Sequence, residues 1–477
     1  LSRFGGLGIG VVITLAVGVA SLSIAFGVIH AALFREPPFE AADRILMLHI
    51  QRRPQNEPPR RERWSYPRFQ MLRQTQKSLE DVASYSPAAF TLSGNADAEF
   101  VQGERVSAAY FPVLRAKASQ GRLFSEAEDD PKAPTAVAVL GHALWTRSYA
   151  SDPNILGRVV RLNGVPLTVV GVMPPGFAGL SGRAEIWVPA TMTPQLVYLE
   201  YLTTNQNFIS AIGRLREGIQ LSDAQNELAV LGGTINRALP SDPNAPEEPV
   251  TAAAITLNEA RTEPNVRRSL YVLLGAVSVL HLLACANVIN LLLGRAAAKR
   301  RDSAVRVALG SSSPRLFKDM LLEGLRLWAP GALLGVFISA GAMTVVAPPT
   351  NVWAPRNFYG SLAPFDAPAF GVTEAVFGLG LALLTALLVS IPPALSAYGI
   401  DVAAGIQVGS RGVLGGGFSL RRPSARALIV GMEAALAVLL VVAAGLLIES
   451  FARMRGVDIG VHQENVLTFW VVPSEAS

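Results

Sequence analysis

Apolar residues in this chain collect into five long runs, at residues 7–34, 270–293, 327–347, 376–397 and 427–448. At about 1.5 Å per residue, each run is long enough as a helix to cross a hydrocarbon core of about 30 Å. The first run exceeds the apolar core of a cleaved leader and no small-residue cleavage site follows it, so it predicts a retained anchor. Pro37 and Pro38 predict the end of that helix, because proline removes a helical donor and restricts the residue before it.

Residues 35–268 are patterned differently, with short periodic segments separated by turns. In 158–172, two β-branched runs flank Asn163 and Gly164, a pair suited to a tight hairpin turn. Residues 135–140 predict another strand. Tyr66 to Ala83 carries apolar residues at helical spacing, and Ser222 to Gln225 predicts a capping box for a helix running toward Leu239. The expected fold is an integral membrane α-helical protein of five spans with a mixed α+β extracytoplasmic domain.

Charge orients the spans. The formal net charge is +5, and its distribution is the useful part. Arg295, Lys299, Arg300, Arg301, Arg306, Arg315 and Lys318 follow the second run, and Arg411, Arg421, Arg422 and Arg426 follow the fourth. The positive-inside rule makes both loops cytoplasmic, which places the N-terminus inside and 35–268 outside. Arg52, Arg53, Arg60, Arg61 and Arg63 belong to a long translocated segment that escapes this rule; without interleaved aromatics they read as a solvated loop, not a nucleic-acid surface. Cys285, the single cysteine, excludes an intrachain disulfide.

Catalytic chemistry is absent from the motifs. His49 and His142 are isolated, and no HExxH, paired CxxC or GxSxG occurs. Glu126, Glu128, Asp129 and Asp130 cluster without the alternating ligands and central glycine of a calcium loop, so a solvated turn is expected. No metal site is expected.

Within the spans, Gly331 and Gly335 have the GxxxG spacing of close helix contacts, although glycine is also common in such helices for other reasons. Asn287 and Asn290 lie three apart and predict a face turned toward another helix. Glu433 lies within the fifth run; it is a functional candidate, or the partner of a basic side chain from a neighbouring loop. In the loop after the second run, Ala304 pairs with Ala308 and Val305 with Leu309 at i, i+4, giving a short helix with a small apolar face that Gly310 closes. Ser313 and Pro314 then predict the start of the next helix. A compact apolar face suits a protein partner better than lipid headgroups.

The stretch "LLACANVINLLLGRAAAKRRDSAVRVALGSSSPRLFKDMLLEGL" at 282–325 and the stretch "DPNILGRVVRLNGVPLTVVGVMPPGF" at 152–177, followed by Glu185 to Pro189, carry a resemblance that extends over nearly the whole chain. The sequence resembles the MacB/FtsX-type, or type VII, permeases of ABC transporters, in their duplicated-permease branch. The resemblance implies a first helix at 1–34, a MacB-like core domain at 35–268, and an FtsX-like permease domain at 269–400 with a coupling loop at 294–326. A cytoplasmic linker at 401–426, a fifth helix at 427–448 and the start of a second external domain at 449–477 follow. It implies docking on a cytoplasmic ABC ATPase through Arg301, Asp302, Ala304, Val305, Arg306, Ala308, Leu309 and Gly310, with ATP and Mg bound by that partner.

Export or extraction of a substrate by mechanotransmission is the implied function; the alternative is an FtsX-like signalling or scaffold role toward a partner such as a cell-wall hydrolase. The bacterial inner membrane, lipid contact and pairing with a second permease half or a second copy are implied as well. No Gly-Lys dipeptide occurs, so there is no Walker A loop in this sequence. Asp302 stands where the family usually has glutamate, and Glu433 where it usually has glutamine. Residues 464–473 are similar to 43–54 and read as the opening of a second copy, so a fragment or truncated product lacking three further helices is expected.

Overall fold

The computed structural model describes residues 5–53, 59–93, 98–240, 249–262, 264–298, 313–346, 370–395 and 425–455. They form two compact units, one of long helices and one built on Ala32–Pro264.

The first helix, α1 (Gly5–Ile29), continues as a π-helical turn over His30–Phe34 and stops before Pro37. The chain then enters an eleven-stranded mixed sheet. Its strands are β1 (Ile45–Arg52), β2 (Arg60–Glu62), β3 (Leu79–Ser93), β4 (Glu99–Val106), β5 (Gln120–Gly121) and β6 (Val137–Leu140), then β7 (Val159–Leu162), β8 (Val165–Val172), β9 (Ile186–Pro189), β10 (Ser210–Leu215) and β11 (Val250–Thr256). The path runs β11-β1-β10-β3-β4-β9-β6-β8-β5, with β2 on β1 and β7 on β3 and β8. Helices α2 (Tyr66–Thr75), α3 (Tyr110–Leu114), α4 (His142–Tyr149), α5 (Thr193–Leu196), α6 (Leu221–Ala238) and α7 (Leu257–Ala260) belong to the same unit.

Both sheet faces are covered. Side chains alternate along a strand, so Ile45 and Met47 of β1 enter one core with Tyr85, Tyr110 and Trp187, while Leu46 and Leu48 enter another with Trp64, Tyr201 and Leu228. That is why β1 opens with four consecutive apolar residues, Ile45 to Leu48. The hairpin expected at Asn163-Gly164 is present, with φ of 50° and 84° at its two turn residues. Asn163 Oδ1 also accepts from Thr91 N at 2.8 Å, which pins the turn to β3.

Four local expectations change. Helix α2 ends at Thr75, and residues from Leu79 onward are strand. Val82 and Ala83 pair with Gly213 and Ile212 of β10, and their burial in the sheet outweighs a spacing that suited a helix equally well. Helix α6 begins one residue earlier than its expected cap, after Gln220, with no side-chain cap. The arginine cluster is partly strand: β2 pairs with β1, and Arg52 Nε donates to Glu62 Oε1 at 2.8 Å.

The acidic turn is not simply solvated. Asp129 is buried, accepting from Ala108 N at 2.9 Å through one oxygen and from Thr191 Oγ1 at 3.1 Å through the other. Glu128 accepts two bonds of 2.7 Å from Arg122. A turn that braces two neighbouring segments keeps its carboxylates for internal donors.

Burial pushes the Asp129 carboxyl up to about 6, against an ordinary value of about 4. The folded unit therefore holds this proton more tightly than the unfolded chain, and the resulting stability is present below about pH 4 and lost as pH rises through about 6. Denaturant unfolding should show the stability difference between wild type and Asp129→Ala falling by about 2 kcal/mol from pH 4 to pH 6.5. A difference independent of pH would contradict the assignment.

Candidate functional site

The long helices are α1, α8 (Pro264–Ala298), α9 (Ser313–Val346), α10 (Val372–Leu395) and α11 (Ala425–Arg455). Among the described residues, five helices are long and apolar enough to cross a membrane. Helix α1 is central: Val11 and Leu15 pack with Cys285 and Val288 of α8 and Val389 of α10, while Val19 packs with Ala332 of α9 and Ala382 of α10.

Gly331 and Gly335 of α9 explain this closeness. A Cβ at Gly331 would stand 3.0 Å from Val12 O, and one at Gly335 would stand 2.9 Å from both Ala16 O and Val19 Cβ. The GxxxG spacing therefore serves backbone approach, with α1 as the partner helix.

Polar contacts tie the same bundle. His30 Nδ1 lies 2.9 Å from Glu374 Oε1, and Glu374 Oε2 accepts from Gly371 N at 2.9 Å. Phe26 stacks on Phe377 one helical turn away, with centroids 3.8 Å apart. Thr385 donates to Leu381 O, so it accepts from His281 Nε2, 2.9 Å away. Asn290 Nδ2 donates to Glu433 Oε1 at 2.8 Å, joining α8 to α11. Among the described residues, the partner of Glu433 is thus an amide. The Asn287 side chain is exposed and has no hydrogen-bond partner among the described residues; three residues of helix rotate it about 60° from Asn290. The docking residues at 301–310 lie outside the described residues.

The α/β unit has its own anchoring of the chain end that α1 delivers. Helix ends leave carbonyls without backbone donors. Here Thr262 Oγ1 donates to Ala32 O at 2.8 Å, Asn258 Nδ2 to Leu33 O at 3.0 Å and Arg261 Nη2 to Arg35 O at 2.7 Å. Helix α7 presents Asn258, and Thr256 caps it by accepting from Glu259 N at 3.2 Å. Buried Arg214 then secures the next segment, donating to Val113 O at 2.8 Å, Ala41 O at 3.2 Å and Glu40 O at 2.9 Å. Arg44 Nε donates to Leu215 O at 3.0 Å.

Sequence reasoning missed these residues. The available signal was Arg214 itself, a cation inside strand β10, whose six residues are all buried. Among the described residues no group of three or more His, Cys, Asp or Glu could hold a metal ion.

The structure defines an integral membrane protein in which a mixed α/β domain is inserted between the first and second spans. Residues 9–231 match the MacB-like periplasmic core domain, and residues 274–402 match the FtsX-like permease C-terminal domain. The chain belongs to the MacB/FtsX-type permeases of ABC transporters and is an inner-membrane protein. It is similar to the macrolide export ATP-binding/permease protein MacB of Azoarcus sp. (strain BH72), at 27% identity over 59% of this chain and 39% of that protein. It is similar also to the pyoverdine export ATP-binding/permease protein PvdT of Pseudomonas fluorescens, at 24% identity over 65% of this chain and 43% of that protein. The matched region is thus about two fifths of the length of these relatives. The periplasmic region of MacB from Actinobacillus actinomycetemcomitans aligns over 46% of this chain and 91% of its own, with 14% identity and a TM-score of 0.34.

Replacing Gly335 with leucine should lower the thermal stability of the detergent-solubilised protein by about 1–3 kcal/mol, the usual cost of overpacking. Gly341→Leu, at a position in α9 where an added Cβ meets nothing, should stay within about 0.5 kcal/mol of wild type. Equal effects of the two substitutions, read from thermal unfolding followed by size-exclusion chromatography, would contradict close α1–α9 packing.

Proposed function

We propose that this chain is the non-catalytic permease subunit of an ABC-type system, coupling a separate cytoplasmic ATPase to movement of the α/β domain on the outer side. The N-terminus lies in the cytoplasm, ATP and Mg are bound by the partner, and the work done is export or extraction of a substrate. The supporting observation is the anchoring at Ala32–Arg35. Helix α1 lies at the centre of its bundle, and the chain end it delivers is capped by side chains of the α/β unit. Within the α/β unit, residues 32–35, which follow the first span, are thus tied to residues 258–262, which precede the second.

The basic loop after α8 is the entry point for the motor. Arg301 precedes and Arg306 interrupts the apolar pairs Ala304/Ala308 and Val305/Leu309, the chemistry of a short docking helix. The opposite end of the chain supports a further neighbour: the most apolar window of α11 has no residue buried, against half for α1. A second permease half, in this or another copy, packs on that helix, and lipid covers what remains.

Co-purification with candidate cytoplasmic ATPases tests the reading. The wild-type chain should capture an ATPase, and Val305→Asp combined with Leu309→Asp should abolish capture while membrane insertion and thermal unfolding are unchanged. Retention of the ATPase by the doubly substituted chain would overturn the assigned docking surface. Stable capture of a cell-wall hydrolase by the α/β domain, with no substrate-stimulated ATP hydrolysis, would replace transport by signalling.

A further inference from the structure

Strand β4 buries charge on both of its faces, and the two sides are treated differently. Glu104 is fully enclosed and satisfied: it accepts from Tyr110 Oη at 2.7 Å, Ser181 N at 2.6 Å and Trp187 Nε1 at 2.8 Å. Its neighbour Arg105 points the other way. Its Nε is buried without a hydrogen-bond partner, and among the described residues no carboxylate pairs with this side chain. What it has is the ring of Tyr201, with the guanidinium carbon 5.3 Å from the centroid. A half-buried cation that lacks a counter-charge is costly to keep, and a ring face offsets only part of that cost.

Arg105 opens onto a cavity of about 390 Å³, within the size range of small-molecule sites. Ser86, its cross-strand partner in β3, contributes a buried hydroxyl to the same wall. Arg63 brings a second guanidinium, and the described lining contains no carboxylate. The opposite wall is aromatic, formed by Tyr198 and Phe208, whose rings meet edge to face at 5.9 Å. Exposed Gln206 stands at the rim.

We propose that this cavity binds a small organic anion, a carboxylate or phosphate ester joined to an apolar body. The anionic group lies against Arg105 and Arg63, which can present paired N–H donors to a planar or tetrahedral anion. The apolar body lies against Tyr198 and Phe208. The site belongs to the α/β domain alone and does not depend on ATPase coupling. A soluble metabolite or an acidic lipid headgroup could present this chemistry.

The test uses the full chain in phosphatidylcholine nanodiscs, with thermal unfolding followed during titration by benzoate, phenyl phosphate and the neutral benzyl alcohol. Saturable stabilisation by at least one of the anions, and none by the alcohol, is expected. Arg105→Gln should weaken the apparent affinity by about tenfold or more, the ordinary cost of one charge-assisted hydrogen bond. If that variant fails to fold, Arg63→Gln and Phe208→Ala carry the same comparison. Stabilisation in phosphatidylglycerol nanodiscs without added anion, lost in the same variants, would assign the ligand to a lipid headgroup. The proposal is overturned if neither anion nor phosphatidylglycerol stabilises the wild-type protein, or if the variants respond as the wild type does.

Discussion

The carbonyls at the end of the first membrane helix need donors, and the α/β domain supplies them. Ala32, Leu33 and Arg35 give their oxygens to Thr262, Asn258 and Arg261, three side chains within the turn that precedes α8. Water could have satisfied the same groups, and the helix would then have ended in a free linker. Because protein side chains satisfy them, residues 32–35 and 258–262 are tied to one another within the α/β unit. Arg214, donating to Glu40 and Ala41 from within β10, extends that hold into the sheet.

The membrane helices meet the complementary requirement inside their own unit. Glycines at 331 and 335 bring the α9 backbone against α1, and interhelical polar contacts join α1 to α10, α8 to α10 and α8 to α11. Such contacts fix which faces meet, since lipid offers no hydrophobic drive for helix association. The α/β domain uses charge in the same economical way, enclosing Glu104 among donors on one face of β4 and leaving Arg105 toward a cavity on the other.

The spans were legible because twenty apolar residues in a row have few alternatives, and the Asn163-Gly164 hairpin because its turn demands positive φ at both residues. Leu79, Val82 and Ala83 were misread because three apolar positions suit a helical period and a strand covered on both faces equally. Asp129 was misread because an acidic cluster looks solvated until the chain brings Ala108 and Thr191 to it. Arg214 and Asn258 were missed for the same reason: their partners are 101 to 225 residues away in sequence, and no local pattern records them. Asn290 and Glu433 could each be singled out as polar in apolar surroundings, but their pairing with one another was legible only in the structure.

The most direct test of the account is the distance between spin labels at Phe34→Cys, on the end of the first helix, and Phe100→Cys, on β4, in a Cys285→Ala background. Both positions are exposed, at 57% and 60%. With the ATPase partner bound, the account predicts one narrow distance distribution that is unchanged between nucleotide-free, ATP-bound and post-hydrolysis states. A second population, or a distribution that shifts with nucleotide, would show that residues 32–35 move independently of the sheet and would contradict their anchoring within the α/β unit.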